Sequence, residues 1–258
     1  MKKKLVFYFY ITDDCLERKI NQIHMQCLKH YASEFDEILF CLSIDDRTNT
    51  ELIRKIEGYL ISEIKCNGNI SFKIYNNTNL REAIAFKNEI ADHIGDDDLV
   101  FFAHNKGVTN ESTYDRDNIY KWVSAMYYYS LNFMDEVERR LIAEVPLSYG
   151  PCLTVNEGTE LSMAKYDWWY IGTFFWINSK KLKIYMDKWH IEIPDISNRF
   201  YAEDFLGSIY PRPWFASSHN DRYILNATDY YTHAVEYLEI LYEDLSDFYI
   251  FYDGVALK

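Results

Sequence analysis

The sequence predicts an α/β protein with a mostly parallel central sheet that helices cover on both faces. Through residue 107, apolar strand-like runs alternate with segments whose apolar residues recur at helical spacing. This alternation implies right-handed crossovers between parallel strands. Apolar residues make up 48% and aromatic residues 17% of the 258 residues, which is enough to fill the core of such a fold.

Four strands and three helices are expected in this first part. The run at 99–103 is apolar throughout, as is typical of a strand buried on both faces. It ends in His104, Asn105 and Lys106, at the sheet edge where open α/β proteins bind ligands, although a solvated loop closed by Gly107 is the alternative. The strands are predicted at 5–11, 37–44, 70–75 and 99–103, and the helices at 14–31, 50–64 and 80–94.

The regular alternation stops after Gly107. The later residues show no internal repeat and no low-complexity linker, so we expect them to complete the same sheet within a single domain, 1–258. The spacing predicts a helix at 114–144, an irregular strand at 148–155, a strand at 168–178, a helix at 179–189 and another helix that begins near Tyr201.

Charge and cysteine usage exclude several classes of protein. A net charge of −13 argues against a nucleic-acid partner, because such binding depends on Lys and Arg at phosphates. The 5 scattered cysteines form neither a disulfide framework nor a zinc motif, which favours reduced thiols and a cytoplasmic protein. Residues 2–11 are too short for a signal peptide, and no apolar run is long enough to span a bilayer. A loose, peripheral association with a membrane through a partner stays open.

The glycine pattern excludes two kinds of nucleotide site. Neither a Gly-x-Gly-x-x-Gly fingerprint nor a Walker sequence is present, which disfavours dinucleotide dehydrogenases and P-loop enzymes. A nucleotidyltransferase that makes an activated sugar would need a glycine-rich loop near the N-terminus, and residues 7–12 do not provide one. A bound nucleotide would therefore be held by side chains.

Three motifs occur in order along the chain: His104-Asn-Lys-Gly107, Tyr170-Ile-Gly-Thr-Phe-Phe-Trp-Ile-Asn178, and Arg199-x-x-x-Glu203-Asp204-x-x-Gly207. Together they resemble bacterial glycosyltransferases of capsule, O-antigen and rhamnan-type polysaccharide synthesis. The resemblance implies the GT-A fold, an αβα sandwich with a nucleotide-binding half, 1–107, and an acceptor-binding half, 108–258. It also implies sugar transfer from a nucleotide-diphosphate sugar to a glycan or lipid-linked glycan. The alternative is a non-catalytic carbohydrate-binding or scaffold protein on the same fold.

The metal-binding Asp-x-Asp of ordinary GT-A enzymes is replaced here by His104-Asn105-Lys106. We therefore expect no required cofactor and no metal ligand set. Lys106 would stabilise the negative charge that develops on the diphosphate, and His104 would donate a hydrogen bond. Divalent metal, Mn²⁺ or Mg²⁺, stays an alternative. The carboxylates at 96–98 precede the strand, so we expect them at the opposite edge of the sheet as a solvated corner, with metal binding as the alternative.

Polar residues that follow the predicted strands are candidates for binding the donor. Asp13 has an alternative role as a helix cap, and Lys87 has one as a surface residue. The donor-binding candidates are Thr12, Asp13, Asn76, Arg81, Lys87, His104, Asn105 and Lys106.

Glu203 and Asp204 are the candidates for the general base that an inverting transfer needs, and the motif favours Glu203. Neighbouring helical residues point about 100° apart, so only one of the pair should face the site. The alternative is that both merely favour the positive start of a helix. Trp176 alternates with Phe175, so one of the two should face the cleft. The acceptor-binding candidates are Trp169, Tyr170, Gly172, Thr173, Trp176 and Arg199, with core packing as the alternative for the aromatic residues.

Overall fold

The computed structural model describes residues 1–46, 48–105, 107–108, 116–151, 153–155, 168–170, 172–196, 198–209, 216–217 and 225–226. The strands are β1 (Lys2–Tyr10), β2 (Glu37–Ile44), β3 (Asn69–Asn76), β4 (Asp98–His104), β5 (Ser148–Tyr149), β6 (Leu153–Val155), β7 (Trp168–Tyr170), β8 (Phe175–Asn178), β9 (Ala216–Ser217) and β10 (Leu225–Asn226). The helices are α1 (Lys19–Tyr31), α2 (Thr50–Glu63), α3 (Glu82–Glu89), α4 (Arg116–Leu131), α5 (Met134–Glu138), α6 (Ser179–Trp189) and α7 (Tyr201–Ile209). In the described part of the chain, none of the helices has both the length and the apolar character needed to cross a bilayer.

The described strands form one large and one small sheet. The large sheet has the order β3-β2-β1-β4-β8-β5-β9, and its first four strands are parallel. β8 then runs antiparallel to both β4 and β5. The small sheet has the order β10-β6-β7. The predicted α/β class and mostly parallel central sheet are confirmed.

Alternate residues of the central strands enter two separate cores, one on each face of the sheet. In β1, Phe7 and Phe9 belong to the core with α1, α2 and α4, whereas Val6 and Tyr8 belong to the core with α3, α6 and α7. Side chains alternate across a strand, so an apolar strand fills both layers at once. This arrangement is the predicted αβα sandwich.

Two segments that were each predicted as one strand are divided between the two sheets. Segment 168–178 forms β7 in the small sheet and β8 in the large one. Between them, Gly172 and Thr173 have φ of 92° and 52°, a left-handed backbone that no strand accommodates. Segment 148–155 divides in the same way at Gly150 and Pro151. Gly150 and Pro151 had marked the second segment as irregular, whereas apolar composition continues through the turn at Gly172 and Thr173, so the pattern did not reveal that turn.

The prediction that Trp176 or Phe175 faces a cleft is wrong, because both side chains are fully buried. Trp176 stacks on both Phe35 and Phe101, at centroid distances of 5.6 and 5.1 Å, and its Nε1 donates to the Ser130 carbonyl over 2.8 Å. Phe175 enters the core on the other face. Helices cover both faces of β8, so neither alternating position reaches solvent.

We expect Trp176→Phe to lower the free energy of unfolding by about 2 kcal/mol, because it removes a buried hydrogen bond and leaves a void. Urea unfolding monitored by circular dichroism measures the change. Trp189→Phe is the matched control, since Trp189 is 59% exposed on α6 and its replacement should change stability by less than about 0.5 kcal/mol. Equal effects of the two substitutions would contradict the buried role of Trp176.

Candidate active site

A cavity of about 560 Å³ opens at the carboxyl ends of β1 and β4, between the start of α3 and the start of α7. The four parallel strands all end on this side of the sheet, so the segments that follow them converge there. The residues at 96–98 lie at the amino ends of the parallel strands, opposite the cavity, as expected. Asp97 pairs there with Lys180 over 3.0 Å. Residues that line the cavity include Tyr8, Tyr10, Asn77, Arg81, Glu82, His104, Asn105, Gly107, Arg199, Phe200 and Glu203.

The buried amide of Asn105 joins the end of β1 to the end of β4. Its Oδ1 accepts from the Tyr10 N–H over 2.9 Å, and its Nδ2 donates to the Tyr10 carbonyl over 2.9 Å and to Asn21 Oδ1 over 3.1 Å. Both amide protons are therefore used within the protein. Asn105 builds the cavity wall through these bonds, which is a different role from the predicted contact with a donor.

His104 is the last residue of β4 and forms the adjoining part of the wall. Its Nδ1 lies 2.5 Å from the Thr173 hydroxyl and 3.8 Å from Glu82 Oε1. Glu82 is absent from the predicted site, although its place directly after Arg81 in the segment that follows the third strand is a usable signal.

The turn between β7 and β8 connects His104 to Glu203. Thr173 is fully buried, and its positive φ is uncommon for a β-branched residue, so surrounding contacts must hold it there. The neighbouring Gly172 N–H donates to Glu203 Oε1 over 3.1 Å. Of the two predicted carboxylates, Glu203 lines the cavity and Asp204 is not among its lining residues. Thr173 supports the site from within the core rather than offering a surface to an acceptor.

Two arginines line the cavity from opposite halves of the chain. Arg81 directly precedes α3, and Arg199 precedes α7 with its guanidinium 4.5 Å from the centre of the Phe200 ring. Arg81 also has a positive φ of 47°, which is strained for a long side chain. The cavity therefore combines two cations with the carboxylates of Glu82 and Glu203.

A hydrogen-bonded group at the ends of β1, β2 and β3 was not predicted. Asp45 accepts from the Tyr10 hydroxyl over 2.5 Å and from Asn77 Nδ2 over 2.8 Å. Tyr10 and Asn77 line the cavity, so Asp45 fixes the orientation of one aromatic and one amide group there. Among the asparagines after the third strand, Asn77 lies at the cavity and Asn76 does not.

Several other predicted contacts are not at the cavity. The ammonium of Lys87 pairs with Asp92, at the end of α3 remote from the site. The Thr12 hydroxyl bonds to Asp14 over 3.0 Å, and neither Thr12 nor Asp13 is a lining residue. Tyr170 is fully buried with its hydroxyl 3.3 Å from Ser148 Oγ, so the prediction that it stacks on an acceptor is wrong.

Lys106 and the side chain of Trp169 lie outside the described residues. Both chain neighbours of Lys106, Asn105 and Gly107, line the cavity. Among the side chains that the structure describes, no three His, Cys, Asp or Glu are grouped so that they could hold a metal ion. The roles expected of Lys106, and of a metal-independent site, stay predictions.

Comparison with known proteins adds little to this geometry. No protein-family model and no curated protein matches the sequence. One solved structure that matches is a 4-diphosphocytidyl-2C-methyl-D-erythritol synthase from Anaerococcus prevotii, at 11% identity and a TM-score of 0.39, with 92% of this chain and 96% of that chain covered. A likeness at this level carries no argument about activity.

The free energy of unfolding should fall at alkaline pH, because the Tyr10 hydroxyl loses its proton there. Burial, aided by the hydrogen bond to Asp45, raises the pKa of Tyr10 to about 12. Unfolded tyrosine titrates near pH 10, so the folded state holds this proton more tightly, and the stabilisation is complete below about pH 10 and lost as pH rises to about 12. Urea unfolding of Tyr10→Phe should accordingly show a smaller decline above about pH 10 than wild type. Parallel curves for the two proteins would contradict this role.

Proposed function

We propose that this chain is a glycosyltransferase that moves a sugar from a nucleotide-diphosphate sugar to a glycan or lipid-linked glycan in surface polysaccharide synthesis. One observation carries the proposal: the first and third motifs behind the family resemblance line one cavity, and the second motif joins them from behind its wall. His104 of the first motif contacts Thr173 of the second over 2.5 Å, and Gly172 of the second contacts Glu203 of the third over 3.1 Å. Residues separated by about 100 positions therefore form one site.

The donor would lie along the carboxyl ends of β1 to β4. The aromatic ring of Tyr10 and the amide of Asn77, both held by Asp45, suit a planar nucleobase with hydrogen-bonding edges. Arg81 and Arg199 supply positive charge for the diphosphate from two walls of the cavity. These side chains take the place of a glycine-rich loop.

Glu203 would act as the general base. In an inverting transfer it removes the proton from an acceptor hydroxyl as that oxygen bonds to the anomeric carbon, and the bond from that carbon to the diphosphate breaks. The Gly172 N–H holds the carboxylate at the cavity wall. The leaving diphosphate gains negative charge, which Arg81, Arg199 and the predicted Lys106 would stabilise, with a divalent metal as the alternative.

Donor binding is tested by thermal shift with UDP-, GDP-, CMP- and dTDP-sugars and with the nucleoside triphosphates, each with EDTA and with Mn²⁺. We expect one nucleotide class to raise the melting temperature in EDTA, and Arg81→Gln to weaken that binding at least about 10-fold because a charged hydrogen bond is lost. Arg54→Gln, an exposed arginine on α2, is the matched control. A shift only with Mn²⁺ would indicate a metal site, and a shift only with nucleoside triphosphates would contradict the proposal in favour of nucleotidyl transfer.

Glu203→Gln should lower sugar transfer by about 10²-fold or more and leave donor affinity unchanged, because the amide cannot accept the proton. Single-turnover transfer from the identified donor measures the first quantity, and titration calorimetry measures the second. Glu51→Gln in the first turn of α2 is the control for a carboxylate at a helix start. Donor binding without transfer by the wild-type protein, across a panel of glycan acceptors, would favour the non-catalytic binding protein.

A further inference from the structure

The strand β3 forms one edge of the large sheet, and in the part of the chain that the structure describes no strand pairs with its outer side. The Asn69 N–H donates to the Asp36 carbonyl over 3.2 Å and the Asn77 N–H to the Ile44 carbonyl over 2.7 Å, both toward β2. Backbone groups alternate in direction along a strand. The N–H and C=O groups of Ile70, Phe72, Ile74 and Asn76 therefore point outward, away from β2.

β3 has few of the features that prevent an edge strand from pairing with a strand of another molecule. Its pairing with β2 runs from Asn69 to Asn76 without a bulge, and it contains no proline. Its one charge, on Lys73, is drawn inward to Glu89 over 2.6 Å. Ile74 is 54% exposed beside the outward backbone groups. A long, regular and weakly charged edge of this kind is suited to pairing with another strand.

The apolar side chains of the edge are symmetric about Phe72. Ile70, Phe72 and Ile74 lie on one face, where Phe72 stacks on Phe40 at 5.7 Å. An antiparallel copy centred on Phe72 sets Phe72 against itself and Ile70 against Ile74, with outward backbone groups facing each other. A two-fold axis at Lys73 would place two lysines opposite each other. An axis at Ser71 would place Ile74 opposite Gly68.

We propose that a second copy of this chain pairs with β3 in this register, so that two large sheets join as one across a two-fold axis at Phe72. The occupant is a second copy because the pattern is complementary to itself. Each copy carries a net charge of −13, which opposes association over long range, but β3 itself contains one lysine and no acid. Salt screens the long-range repulsion and leaves backbone pairing intact, so dimerisation should strengthen as salt rises.

Sedimentation equilibrium of the full chain, from about 1 to 200 µM in 50 and 500 mM NaCl, tests the proposal. We expect the mass to rise from 30.9 kDa to twice that value with concentration, at lower concentration in the higher salt. Ile74→Lys should stay monomeric, because it sets a charge against Ile70 of the second copy. Ile184→Lys on α6 is the matched control, since Ile184 is 60% exposed and lies away from this edge, and it should dimerise like wild type.

Hydrogen exchange at the amides of Ile70, Phe72 and Ile74 completes the test, with protection expected in the dimer and lost in Ile74→Lys. Three results would overturn the proposal. These are a wild-type monomer under all conditions, a dimer that Ile74→Lys leaves intact, and a monomer whose edge amides are protected, which would assign the edge to another segment of the same chain. None of these readings depends on the proposed transferase activity.

Discussion

The cavity depends on how β1 and β4 are held together where both strands end. The amide of Asn105 continues the pairing there, because it bonds to both backbone groups of Tyr10 and to Asn21 on α1. Asn105 and Asn21 are buried, and a buried donor or acceptor left unpaired would cost about 1–3 kcal/mol. Tyr10, His104 and α3 can line one cavity because this contact keeps the two central strands in register to their last residues.

The second half of the chain reaches the site through one strained turn. Gly172 and Thr173 carry the chain from the small sheet into β8 with positive φ, and each contacts a cavity residue, Glu203 and His104 respectively. A β-branched residue in this conformation costs roughly 1–3 kcal/mol, which only a well-determined environment can offset. The burial of Thr173 and Phe174 provides that environment. The turn therefore links α7 to β4, and the packing of Phe205 on Phe86 also holds α7 against α3.

Charge is distributed unevenly over the molecule. The chain has a net charge of −13, yet Arg81 and Arg199 both line the cavity, beside Glu82 and Glu203. An anionic ligand would approach against the average field of the protein and meet the positive charge of Arg81 and Arg199 at the site. This arrangement favours ligands that carry their own recognition elements, such as a base or a sugar, over simple polyanions. It fits the nucleotide-sugar donor proposed above.

The sequence by itself determined the elements that a continuous apolar run or a helical spacing of apolar residues marks from end to end. β2 and α6 begin and end where the spacing of apolar residues predicts, at 37–44 and 179–189, and the polar run after the central strand correctly marked the edge that carries the cavity. Only the tertiary structure decided which aromatic residues are buried. In the sequence, a residue that packs in the core, such as Trp176 or Tyr170, looks the same as one that stacks on a ligand. It also decided the contacts of Glu82, Thr173 and Asn77. Local periodicity reports which face of an element is apolar, whereas a site arises where distant segments meet, and that distance depends on turns such as Gly172–Thr173 that composition does not encode.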